Sequence, residues 1–216
     1  MGKLTDGVFG GFSGKVGKVV GYSIGGEELL RKVPKKNPNR VPTEKQLEQQ
    51  IKFGLVMAFL LPIKEVVGEY FSHRNAAKSR FNLAVGYNLT NAVIDAGGGV
   101  FELDFNKVLI SKGDLRGMEN GAVVAQANQV LDLSWTDNSG QGSAAATDLL
   151  IAVIYSPEQN LFQMFNPAAA TRGDGSAQLT LPVYYSGNEV QVWASMISAD
   201  KKIATNSSYL GKVTVT

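Results

Sequence analysis

The chain has 216 residues, 44% of them hydrophobic and 19% charged, with no cysteine and one histidine; this is the composition of a folded protein and excludes disorder of the whole chain. Without cysteine there is no disulfide, no thiolate nucleophile and no Cys-based zinc or iron–sulfur site, and His73 alone cannot build a multi-histidine metal centre. The formal net charge of +2 hides an asymmetry: residues 1–80 carry 14 Lys and Arg against 7 Asp and Glu, and residues 81–216 carry 7 against 12, so a basic half at +7 precedes an acidic half at −5. The two halves either hold each other or offer a basic face to an anionic partner.

The opening residues 1–11 are glycine-rich with scattered apolar side chains and do not form the charged, apolar and small-residue succession of a signal peptide, so a cytoplasmic or virion-associated location is expected. From Gly14 to Val33, β-branched and alternating stretches flank Gly25-Gly26, which predicts a β-hairpin, because paired glycines take the positive φ of tight hairpin turns. The glycines at 10, 11, 14, 17 and 21 match neither a phosphate-loop register nor a dinucleotide fingerprint. Pro34 to Pro42, rich in proline and asparagine, reads as an exposed connector. Arg31, Lys32, Lys35, Lys36 and Arg40 place five cations within ten residues, a candidate binding strip for phosphates or another anionic partner.

A helix is predicted to begin at Thr43, whose hydroxyl caps it while Gln46 completes a capping box and Glu44 sits in the positive first turn. Leu47, Ile51, Leu55 and Phe59 recur every four residues, and Ile63, Val66 and Tyr70 continue the stripe, which predicts one continuous buried face. Pro62 lacks an amide and must break or kink the helix near Leu61. The longest apolar run, Leu55 to Leu61, is far short of the roughly 20 residues of a membrane span. A second helix is expected over about Asn75 to Ile94, with Ala77, Phe81, Val85, Leu89 and Ala92 on one face. Gly97-Gly98-Gly99 resists either regular state and is read as a boundary between a basic hairpin-and-helix region, 1–97, and a second domain, 98–216.

Beyond the glycines the period changes to two. Phe101, Leu103 and Phe105 alternate with acidic residues, and strands follow at Gln129 to Thr136, Leu149 to Tyr155, Leu161 to Phe165, Ala177 to Leu181, Glu189 to Ile197 and Leu210 to Val215. About seven short strands with turn signals between them are the pattern of an immunoglobulin-like or fibronectin type III sandwich. The fold class is therefore α+β: an N-terminal β-hairpin plus amphipathic helices, followed by an antiparallel β-sandwich. Trp135 reads as a core anchor. Trp193 reads as a second core anchor, but it alternates against Val190 and Val192, so the alternatives are that it covers the sheet or meets the helical half.

Catalytic patterns are weak. No G-x-S-x-G elbow accompanies the abundant serines, and the carboxylate pairs Glu27-Glu28 and Glu102 with Asp104 fall at a turn and on an alternating solvent face. Asp132, Asp137 and Asp148 lie near predicted strand ends, where their oxygens would meet calcium, although no EF-hand loop occurs. Arg172-Gly173-Asp174, the tripeptide of integrin ligands, is placed in an exposed turn. No cofactor and no catalytic residue is expected.

Gly14 to Tyr22, Pro42-Thr-Glu-Lys-Gln-Leu47 with Lys52-Phe53, Phe81 to Ala92, Lys107 to Leu115 and Ser134 to Gly140 together resemble a family of uncharacterised bacterial proteins, found mainly in Bacteroidota and classed as a domain of unknown function. The resemblance runs nearly end to end and transfers no catalytic residue. The opening hairpin and the Pro-Thr-Glu-x-Gln helix also look like segments of phage-borne proteins. The function expected is that of a non-enzymatic structural or interaction protein. Its sandwich presents loops to a protein or glycan partner, with a phage-derived virion or surface assembly as one setting and self-association compatible with it. The alternative is a nucleic-acid-binding protein acting through the five cations above.

Overall fold

The computed structural model describes residues 3–4, 11–24, 26–35, 41–72 and 78–216. His73, Lys36 and Arg40 lie outside these residues. At the N-terminus β1 (Lys3–Leu4), β2 (Phe12–Val16), β3 (Val19–Ile24) and β4 (Glu27–Lys32) form one antiparallel sheet in chain order. Gly17 takes φ +57 in the β2–β3 turn. A side chain at Gly21 would collide with the Phe12 carbonyl, so glycine there permits close backbone approach.

Helix α1 spans Glu44–Leu60. The Thr43 Oγ1 accepts from the Gln46 amide at 3.4 Å and the Gln46 Oε1 from the Thr43 amide at 3.3 Å, the reciprocal satisfaction of a capping box. The helix ends at a Leu61 C-cap, immediately before Pro62, and α2 (Lys64–Tyr70) follows. Helix α3 (Arg80–Asn91) is capped by Ser79 Oγ, which accepts from the Asn82 amide at 3.2 Å. It stops short of the expected Ile94, because Val93–Gly97 forms β5 and pairs with β6 (Val100–Leu103). The expected buried stripe on α1 is corrected as well. Val56, Phe59 and Leu60 are buried, whereas Leu47 is 45% and Ile51 51% exposed, since the core reaches only the last turns of the helix.

The strands β7 (Glu119–Gln126), β8 (Val130–Thr136), β9 (Leu149–Ser156), β10 (Leu161–Phe165), β11 (Ser176–Thr180), β12 (Glu189–Ile197) and β13 (Ser208–Thr214) build two antiparallel sheets, ordered β11-β8-β7 and β10-β9-β12-β13. Consecutive strands that switch sheets in this way give the three-plus-four sandwich of the immunoglobulin and fibronectin type III architecture. Six of its strands fall where the alternation predicts. The seventh is β7, not the Phe101 stretch, which belongs to the separate β5–β6 hairpin. The β7 sequence, Glu-Asn-Gly-Ala-Val-Val-Ala-Gln, is poor in strand-favouring residues, and its cross-strand pairing with β8 decides its state.

Two buried clusters share the larger sheet. Between the sheets, Leu131, Leu133, Trp135, Leu150, Ile154, Val190 and Val192 pack together. On the opposite face of β9 and β12, Ile151, Val153, Trp193 and Ile197 pack against Val56, Phe59, Leu60, Ile63 and Val66 of the helical segment. The boundary expected at Gly97–Gly99 falls in a hairpin turn. Those glycines, at φ +91, +63 and +81, turn the β5–β6 hairpin, and the helices cover the sandwich instead of forming a core of their own. Among the described residues no helix is long and apolar enough to cross a membrane.

Candidate functional site

Among the described residues, side chains of the kind used in recognition gather at several places. The first is the N-terminal sheet. Its cross-strand partners place Val20, Tyr22, Ile24 and Leu29 on one face and Phe12, Val16, Val19 and Leu30 on the other. Among the described residues neither buried cluster contains one before Val56, and Leu30 is 66%, Val16 53% and Ile24 50% exposed. At the end of this sheet Lys15, Lys18, Lys32 and Lys35 line a concavity of about 230 Å³, closed by the Val33 amide donating to the Lys18 carbonyl at 2.9 Å. Of the five cations singled out in the sequence, Lys32 and Lys35 meet here, joined by Lys15 and Lys18, which linear spacing did not group with them. Arg31 instead lies over the Tyr22 ring, 5.4 Å from its centroid, a cation–π contact.

The second is a cleft of about 330 Å³ where α1, β6 and β9 converge, lined by Leu55, Phe59, Phe101, Phe105 and Tyr155 with Glu102 and Asn160. Phe59 and Tyr155 meet edge-on at 5.3 Å, Phe105 and Tyr155 at 6.0 Å, and Tyr155 stacks on Phe162 at 4.4 Å. Burial pushes the Tyr155 hydroxyl above its ordinary pKa. Lys52 places its ammonium 4.4 Å from the Phe101 centroid at the rim. These aromatic residues are spread over more than 100 positions of the chain, so no local motif announces the cleft.

The third is the end of the sandwich that holds the Arg-Gly-Asp tripeptide. Arg172 is wholly buried, not exposed in a turn as expected. Its Nε donates to Asp148 Oδ2 at 2.9 Å, one terminal nitrogen to Asn138 Oδ1 at 2.6 Å and the other to the Arg116 carbonyl at 2.8 Å. Its own carbonyl accepts from Trp135 Nε1 at 2.8 Å. The guanidinium is an internal tie for loops from both sheets and offers nothing to a receptor. Asp148 is committed to that ion pair, and Asp137 accepts from the Ser139 amide at 2.9 Å, so the three aspartates considered for calcium do not converge; no group of three or more candidate metal ligands occurs among the described residues.

Buried hydroxyls form one further polar cluster. Ser111 Oγ donates to Ser195 Oγ at 2.6 Å, Ser195 and Thr205 hydroxyls lie 3.1 Å apart, and Ser207 Oγ accepts from the Ile110 amide at 3.0 Å. These bonds join residues 107–115 to β12 and to the 204–207 segment, a structural lock. Asp104, ion-paired with Lys107 at 3.1 Å, has its carboxyl held below the usual range by the hydrogen bond from that lysine.

A family model for DUF6266, a family of unknown function, matches residues 11–211, from the N-terminal sheet to the last sandwich strand. The chain belongs to the DUF6266 family. No curated protein matches it. Among solved structures, the chain is similar to the fibronectin type III domain of the human collagen alpha-1(XX) chain, with 18% identity and a TM-score of 0.33 over 47% of this chain and 86% of that domain. Membership of DUF6266 covers both the sheet at the N-terminus and the helix-covered sandwich, so the two are parts of one family unit.

Proposed function

We propose that this DUF6266 protein is a non-enzymatic interaction protein in which the helix-covered sandwich is a rigid body and the N-terminal sheet is the docking arm that fixes it to an assembly. The observation that carries this reading is the exposure of apolar residues on both faces of a sheet that joins neither core. A lone meander of this size gains independent stability only by burying a face, and contiguous exposed apolar area marks interaction sites. Of the two partner classes suggested by the sequence, protein suits this surface better than glycan. Its leucines, isoleucine and valines reward apolar burial, and its lysines and Arg31 favour an acidic rim on the partner.

Lysine-reactive cross-linking in cells that express the full chain tests this reading. Intermolecular links are expected to start mainly from Lys15, Lys18, Lys32 and Lys35. Links confined to sandwich lysines such as Lys112, Lys201 and Lys212 would refute the docking arm. A second reading is supported by the concavity with four lysines, which suits phosphate groups by charge; its test is given with the predictions below.

A further inference from the structure

We infer that β4 pairs with β4 of a second copy of this chain, making a two-fold dimer through the outer edge of the N-terminal sheet. The inference rests on the reading of that sheet as a docking arm and names its first occupant. Strand β4 is the last in its sheet, paired to β3 on one side only among the described residues, and all six of its residues are exposed. An open edge offers a row of amides and carbonyls to another strand, and natural proteins commonly blunt such edges with prolines, bulges or repelling charges. Here the sequence does the reverse. Glu27-Glu28-Leu29-Leu30-Arg31-Lys32 puts its acids first, leucines in the middle and bases last, so reversing the strand places acid against base.

Symmetry narrows the register. A two-fold axis relating antiparallel edge strands stands normal to the sheet and leaves each side chain on its own face. Opposed residues must therefore both be odd-numbered or both even-numbered. Centred on Leu29, the pairing sets Glu27 across from Arg31 of the second copy on each side of a Leu29–Leu29 contact. Centred on Leu30, it sets Glu28 across from Lys32 of the second copy around a Leu30–Leu30 contact. Either way a leucine pair is flanked by two opposite-charge pairs, the combination that stabilises cross-strand neighbours. Parallel in-register pairing would oppose Glu to Glu and Arg to Arg. The dimer joins two four-stranded sheets into one and brings the apolar faces of the arms side by side. Its contact is isologous and closed, as in most homodimers.

The test uses the full chain. Sedimentation should show a concentration-dependent dimer. The variant E27K/E28K and the variant R31E/K32E should each raise the dimer dissociation constant by about tenfold or more, because like charges then face each other. An equimolar mixture of the two should dimerise again. Since the chain has no cysteine, Leu29→Cys and Leu30→Cys locate the axis: only the central residue faces itself, so one of the two should form a disulfide-linked dimer readily and the other poorly. A chain that is monomeric at all concentrations, or a dimer that neither charge reversal weakens and neither cysteine links, overturns the inference. If the cross-links in cells still start from the arm lysines and lead to other proteins, the docking-arm reading survives and the second copy as its occupant does not.

Discussion

The rings of Phe59, near the end of α1, and Trp193, in β12, meet edge to face with centroids 5.5 Å apart, and Phe105 closes on the same indole at 5.8 Å. Trp193 Nε1 donates to the Phe105 carbonyl at 3.3 Å. Aromatic pairs of this geometry contribute about 0.5–1.5 kcal/mol beyond their buried area. The helical segment and the sandwich are joined at this point.

A fragment of residues 98–216 is therefore expected to be far less stable than the full chain, because cutting there exposes the indole and the Ile151–Val153 face. Near-ultraviolet circular dichroism and urea unfolding will check this. A fragment with native-like tryptophan signal and a single cooperative transition would establish the glycine run as a domain boundary. In the intact chain Phe59→Ala should cost about 3–5 kcal/mol.

Arg172 and Asp148 form a buried pair, so removing one partner leaves the other charge without compensation. Arg172→Ala or Asp148→Asn should destabilise by about 3–5 kcal/mol, lowering Tm by roughly 10 °C in a protein of this size. Asp174→Ala, which loses the hydrogen bonds that the Asp174 carboxylate accepts from Thr171 at 2.7 and 2.9 Å, should cost much less. Equal effects would show that Arg172 is not the tie between the loops.

Burial pushes the hydroxyl pKa of Tyr185, and that of Tyr70, up to about 12 from an ordinary 10. The unfolded chain releases these protons first, so the stability they contribute is complete below pH 10 and is lost as pH rises towards 12. Tyr185→Phe should flatten the alkaline loss measured by urea unfolding at stepped pH. At pH 7 it should be neutral or slightly stabilising, because the Tyr185 hydroxyl is buried with no hydrogen-bond partner among the described residues.

Replacing Lys15, Lys18, Lys32 and Lys35 together by Ser tests the phosphate reading. The wild-type chain is expected to bind random duplex DNA no tighter than about 10⁻⁶ M at physiological salt, and each lost contact should lower the salt slope by about 0.9 units. A nanomolar complex abolished by the four changes would move nucleic-acid binding to first place.

Local chemistry carried much of the fold in the sequence. The Thr43–Gln46 capping box, the stop at Pro62 and the alternation of β8 and β11 are satisfied within a few residues of chain, so composition and period suffice to place them. Tertiary structure alone decided the rest. Ile151 and Val153 look no different in sequence from Leu150 and Ala152, because a strand buried on both faces is a continuous apolar run; only the docking of α1 and α2 shows that one set faces the helices. Leu47 and Ile51 have the same spacing as Leu55 and Phe59, yet periodicity says which face of a helix is apolar and not whether anything covers it. Arg172 reads as a solvated loop cation until Asp148, Asn138 and Arg116, from 24 to 56 positions away, enclose it. Separations of that length leave no local trace, because the desolvation that makes such a contact matter exists only once the chain has folded.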